Sequence, residues 1–174
     1  MRALGLMGVA LLVGACTTEP VSDASRGDIC RDLFQRYDRD LELRGPASGT
    51  MGVGRVRSPL PTMSLGGLRQ YNCVTYASEL PDFATLDKTA LRAPARGSGP
   101  TRYVHLATAA TDDVANRLTA EARELGYPVQ TKGAPSLGRR VFLGPLRSPA
   151  EEGAALRLAE AMGFNDAYLL SRIP

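Results

Sequence analysis

The chain contains no tryptophan, a single histidine (His105), three cysteines and only four phenylalanines in 174 residues. Aromatics make up 6% of it, while glycine and proline number 18 and 12, so a good part of the length is expected to be loop or linker rather than core. Apart from Cys16 near the N-terminus, one histidine and two cysteines at no recognisable spacing supply too few ligands for a metal site, and no metal or cofactor is expected. A basic footprint is lacking as well. The net charge is +3, and residues 101–174 carry nine basic against eight acidic side chains, which argues against nucleic acid as a partner.

A membrane-spanning run is also missing from the N-terminus. Arg2 is followed by apolar residues from Ala3 to Val13, which as a helix would rise about 16 Å, roughly half of a hydrocarbon core. Such a run suits an export signal. Its end, Val13-Gly14-Ala15-Cys16, resembles the lipobox of bacterial lipoproteins. That resemblance implies cleavage before Cys16 and lipidation of its thiol, the alternative being an ordinary secretory signal that contains a cysteine. Thr17 and Thr18 follow where lipoproteins of the inner membrane usually carry Asp, so the periplasmic face of the outer membrane is the expected location.

With Cys16 set aside, Cys30 and Cys73 remain as an even pair in an exported chain. They are expected to be bonded, the alternative being two buried free thiols. From Asp28 a helical period places Cys30, Leu33, Phe34, Tyr37 and Leu41 on one face, with Asp38 among the outward residues, until Gly45-Pro46. Residues 68–80, "LRQYNCVTYASEL", alternate enough for a strand, and "FATLDKTALRA" suits a short helix. The expected organisation is a signal over 1–15, a tether over 16–27, a small disulfide-linked mixed region over 28–92, a Pro- and Gly-rich linker over 93–100 and a second domain over 101–174.

The second domain has sharper signals. "RYVHLATA" alternates as a strand, with Val104 and Leu106 on one side and Tyr103, His105 and Ala107 on the other. Thr111 caps a helix with Asp112 and Asp113 in its first turn. "YPVQT" and "GRRVFLGPL" read as strands, Ser148-Pro149-Ala150-Glu151 as a capping box, and "DAYLLSR" as a closing strand. The order βαββαβ predicts an α+β fold: a four-stranded antiparallel sheet with both helices on one face and the other face naked. Parity then sends Arg140 and Phe142 away from the core-facing Val141 and Leu143, together with His105 and Tyr168.

Residues 101–172 resemble a SPOR domain, the sporulation-related repeat of bacterial envelope and division proteins. The resemblance is carried by "YVHLATAATDDVANRL", "ARELGYPV", "RVFLGPLRSPAEEGAAL" and "MGFNDAYLL". It implies binding of peptidoglycan glycan strands, with a preference for strands stripped of stem peptides, such as those at division septa. The glycan surface it implies comprises His105, Thr108, Arg140, Phe142 and Tyr168, with Gly138 standing where many members have an aromatic. The expected function is thus that of a lipid-anchored, non-catalytic peptidoglycan-binding protein. The alternatives are an adaptor whose 28–92 region recruits an envelope or division protein, and, with less support, a cell-wall hydrolase. Glu79 or Asp82 could be proposed as the acid of a transglycosylase, but no recognisable signature surrounds them.

Overall fold

Thr111 and Ser148 each precede a helix-forming run with acids in its first turn, and each caps its helix as expected. In the computed structural model, which describes residues 23–44, 62–134 and 137–174, the Thr111 side chain accepts from the Val114 N–H, and that of Ser148 accepts from the Glu151 N–H. The helices they start are α3 (Asp112–Glu124) and α4 (Pro149–Ala161). Between and around them run β1 (Arg102–Ala109), β2 (Val129–Ala134), β3 (Gly138–Leu146) and β4 (Tyr168–Leu170). The strands form one antiparallel sheet in the order β2-β3-β1-β4. Leu106, Val141, Leu143, Leu118 and Leu158 are fully buried between the sheet and α3 and α4.

Strand β1 departs from simple alternation. His105 pairs with Phe142 but Ala107 pairs with Val141, so Leu106 is an extra residue and the strand is bulged there. One inserted residue reverses the parity that follows. Ala107, expected beside His105, therefore faces α3 and α4 with Ala109, whereas Thr108 joins His105 on the opposite side.

Among the described residues, the region before residue 93 packs its apolar side chains together with residues of the sheet layer. Its first helix, α1 (Asp23–Arg44), begins inside the stretch expected as a tether. The second, α2 (Thr62–Gln70), runs into the segment expected as a strand, of which only Thr75 bridges to the sheet. The Thr75 N–H donates to the Thr108 carbonyl (2.7 Å) and its own carbonyl accepts from the Ala110 N–H (2.9 Å), extending the β1 edge beyond β4. The Cys30–Cys73 disulfide is formed, with Cα atoms 5.4 Å apart. Phe34, Tyr37 and Leu68 bury their apolar faces against the sheet side opposite α3 and α4. That face is accordingly covered, not naked: an amphipathic helix needs somewhere to place its stripe, and the sheet supplies it.

Residues 80–93 pass to the other layer. Phe83 is buried in the α3–α4 core, with Leu80, Leu86 and Leu91 packed against it. The helix expected over Phe83–Ala93 is a single 3-10 turn, Phe83–Thr85, capped by Asp82. The segment expected as a linker is pinned to the domain. The Ala93 N–H donates to the Leu125 carbonyl (2.8 Å), the Gly99 N–H to the Arg147 carbonyl (2.8 Å), and the Gly97 N–H to Glu151 Oε2 (3.1 Å). Cys16 and the signal lie outside the described residues.

Candidate functional site

The sheet register brings the five predicted surface residues together. Phe142 of β3, His105 of β1 and Tyr168 of β4 form one row across three strands, and Arg140 lies opposite Thr108 in the next. His105 is central. Its ring centroid is 5.6 Å from that of Phe142 and 5.1 Å from that of Tyr168, and its Nε2 shares a 3.1 Å hydrogen bond with Thr108 Oγ1. The guanidinium carbon of Arg140 sits 4.9 Å from the centre of the Phe142 ring, in cation–π range. The bulge at Leu106 is what allows His105 and Thr108, three positions apart in a strand, to share a face.

The expected openness of this face is corrected by α1. His105 is 0% exposed, Thr108 1%, Arg140 3%, Phe142 0% and Tyr168 5%. Phe34 of α1 lies over the row, its ring 4.8 Å from that of His105, with the Arg140 guanidinium 5.5 Å from its centre. Asp38, one helical turn further along α1, accepts Arg140 Nη1 at Oδ1 and Arg140 Nη2 at Oδ2 (3.0 Å). Tyr168 closes the triad: its hydroxyl accepts from Arg140 Nη2 (2.7 Å) and donates to Asp38 Oδ2 (2.7 Å).

Asp38 was expected among the outward residues of its helix, yet it is 5% exposed. A signal for it existed. Cys30, Phe34 and Asp38 are spaced by four, so they form one row along α1, and a carboxylate continuing an apolar row asks for a buried cation. Gly138, where an aromatic platform was expected, has φ +124, and a Cβ there would stand 2.0 Å from the Ala109 carbonyl oxygen. An aromatic side chain does not fit at that backbone position.

The chemistry of the face is unlike that of the opposite core. Arg140 keeps Nε without a hydrogen-bond partner, and so does His105 at Nδ1. The polar groups of the sheet thus exceed what α1 satisfies. Burial pushes the His105 imidazole well below its usual range, helped by the Arg140 charge. Burial likewise raises the Tyr168 phenol, so it stays protonated and able to donate to Asp38. Among the described residues no group of three or more His, Cys, Asp and Glu is arranged to hold a metal, and no helix is long and apolar enough to cross a membrane.

No family model, curated protein or solved structure matches this chain. A cleft of about 360 Å³ lies beside the disulfide, bounded in part by Arg26, Asn72, Glu79 and Asp166, and none of the five predicted residues lines it.

The buried imidazole has a measurable consequence. Unfolded, it binds a proton below pH 6.5; folded, its value is lowered, so between the two the unfolded chain holds the extra proton and stability falls as pH falls. The wild type is expected to lose about 1.4 kcal/mol per pH unit below 6.5 relative to His105→Gln, until the folded-state value is reached. Asp166 titrates in the opposite sense, because burial pushes its carboxyl up to about 6, but it is present in both proteins and cancels. Urea unfolding of the two proteins at pH 7, 6 and 5 measures the difference. Parallel curves would mean that His105 is solvated.

Proposed function

We propose that this chain is a non-catalytic peptidoglycan-binding protein of the bacterial envelope, built on a SPOR-like domain and anchored through a lipid on Cys16. The observation that carries the reading is the cluster on one sheet face: planar Phe142, Tyr168 and His105 beside Arg140, with Arg140 Nε and His105 Nδ1 left unpartnered by α1. Aromatic rings stack on sugar faces, and a guanidinium fork can hydrogen-bond several oxygens at once. Glycan strands stripped of stem peptides, as at the division septum, are the ligand.

Sedimentation of the mature chain with amidase-stripped sacculi tests the reading. Binding is expected to the stripped sacculi and to fall at least fivefold on sacculi with stem peptides intact. Equal sedimentation with both, or none with either, would remove the glycan assignment. Cys16→Ser is expected to release the protein from the outer-membrane fraction, and unchanged fractionation would remove the anchor.

A further inference from the structure

We propose that α1 is an intramolecular occupant of the glycan face, with Asp38 standing in for a carboxylate of the ligand, so that a carboxylate-bearing saccharide and α1 compete for Arg140 and Tyr168. The inference rests on the glycan reading above and adds to it the ligand group and its control. The geometry around Arg140 is that of a carboxylate receptor. Both Nη atoms reach the two oxygens of one carboxylate, and a phenol hydroxyl donates to the same group. In glycan stripped of stem peptides, the group of matching chemistry is the lactyl carboxylate of the muramic acid residues, which a stem peptide would otherwise convert to an amide.

The helix is built to lift from one end. Its N-terminal part is fastened: Cys30 is bonded to Cys73, and Arg31 Nη2 donates to the Asn165 carbonyl (2.5 Å). Gly27 lies so close to Asn165 that a Cβ would come within 2.9 Å of it. Asp38 is eight residues beyond Cys30, about 12 Å along the axis. Helix α2 follows the same end, since Ser64 Oγ donates to Asp40 Oδ2 (3.1 Å) and the helix returns to the sheet at Cys73. The two helices therefore share their disulfide-linked attachment, and the Asp38–Arg140–Tyr168 contact is the latch at the other end.

The covered interface is also the more separable of the two layers. It buries an ion pair, an imidazole and the Thr108 and Tyr168 hydroxyls, with Arg140 Nε and His105 Nδ1 unpartnered, whereas the α3–α4 core is mainly aliphatic and its unpartnered buried groups, Thr119 Oγ1 and the Tyr127 hydroxyl, are uncharged. Buried ion pairs add little net stability over apolar contacts. When α1 lifts, the sheet's share of those polar groups is exposed together. Beside them Gln130 and Lys132 of β2, opposite Phe142 and Arg140, are already exposed and extend the same face.

The test uses the mature chain and amidase-stripped glycan strands, with the same strands after chemical reduction of their carboxylates to alcohols. Asp38→Asn leaves Arg140 without its anion in the closed form only, so it shifts the population toward the open form. It is expected to bind stripped glycan at least tenfold tighter than the wild type, and to lose most of that gain on carboxyl-reduced strands. In the wild type, saturating glycan is expected to speed amide exchange in residues 34–41 while β1 and β3 remain protected, a readout that needs no variant. Glycan bound by the wild type with α1 equally protected would overturn the occupant while leaving glycan binding standing. Equal binding of native and carboxyl-reduced strands by Asp38→Asn would overturn the carboxylate. Absence of binding by both wild type and Asp38→Asn would overturn the glycan reading and this inference with it.

Discussion

Arg140→Ala is expected to destabilise the closed form of the protein by about 3–5 kcal/mol, the usual cost of removing one partner from a buried ion pair. Arg140 and Asp38 are 3% and 5% exposed, and after truncation Asp38 would keep only the Tyr168 hydroxyl as donor. The penalty is that of an uncompensated buried carboxylate rather than the worth of the pair. Asp38→Leu combined with Arg140→Met should accordingly cost less than Arg140→Ala alone, because both charges leave together and apolar volume remains. Urea unfolding of the wild type, the single variants and the double variant closes the cycle. A loss below about 1 kcal/mol for Arg140→Ala is the range of an exposed pair, and would mean that α1 does not sit on the sheet in solution.

The parts of this site that could be read in the sequence are those governed by local rules. Strand period put Arg140 and Phe142 on the side away from Val141 and Leu143, and capping chemistry at Thr111 and Ser148 set the starts of α3 and α4. The bulge at Leu106 was not readable, because it inserts one residue without a glycine or proline to mark it, and it moved Ala107 to the other face. The cover was missed for a different reason. Period identified the apolar face of the first helix, but what a helix buries its face against is a long-range choice that no local pattern carries. The eventual partner of Asp38 lies 102 residues away. Residues 68–73 illustrate the same limit: alternation suggested a strand, whereas helix α2 continues to Gln70 and Cys73 is held by its disulfide.

Removal of the disulfide is expected to cost about 4 kcal/mol in the chain-entropy model, and to be felt unevenly across the molecule. Cys30 and Cys73 are 43 residues apart, and the stretch between them contains α2 and the part of α1 that follows Cys30. Without the bond, α1 is held by the Asp38–Arg140–Tyr168 contact, the Arg31 and Gly27 contacts at Asn165, and the burial of Phe34 and Tyr37. Fully burying two such side chains supplies roughly 3–6 kcal/mol before the ordering of the helix is charged against it, so the layer becomes marginal rather than stable. The α3–α4 side draws on a separate set of contacts, with Leu106, Leu118, Leu143 and Leu158 fully buried, and Phe83 reaching it from beyond Cys73. Cys30→Ser combined with Cys73→Ser should therefore speed amide exchange through α1 and α2 by about a hundredfold or more, the exponential of a 3 kcal/mol or greater loss, while the central amides of β1 and β3 change much less. Uniform acceleration across both layers would mean that the sheet cannot hold its fold without the cover. Unchanged exchange in α1 would mean that packing and the buried triad alone are sufficient to hold the helix, and that the disulfide contributes little to the stability of the native chain.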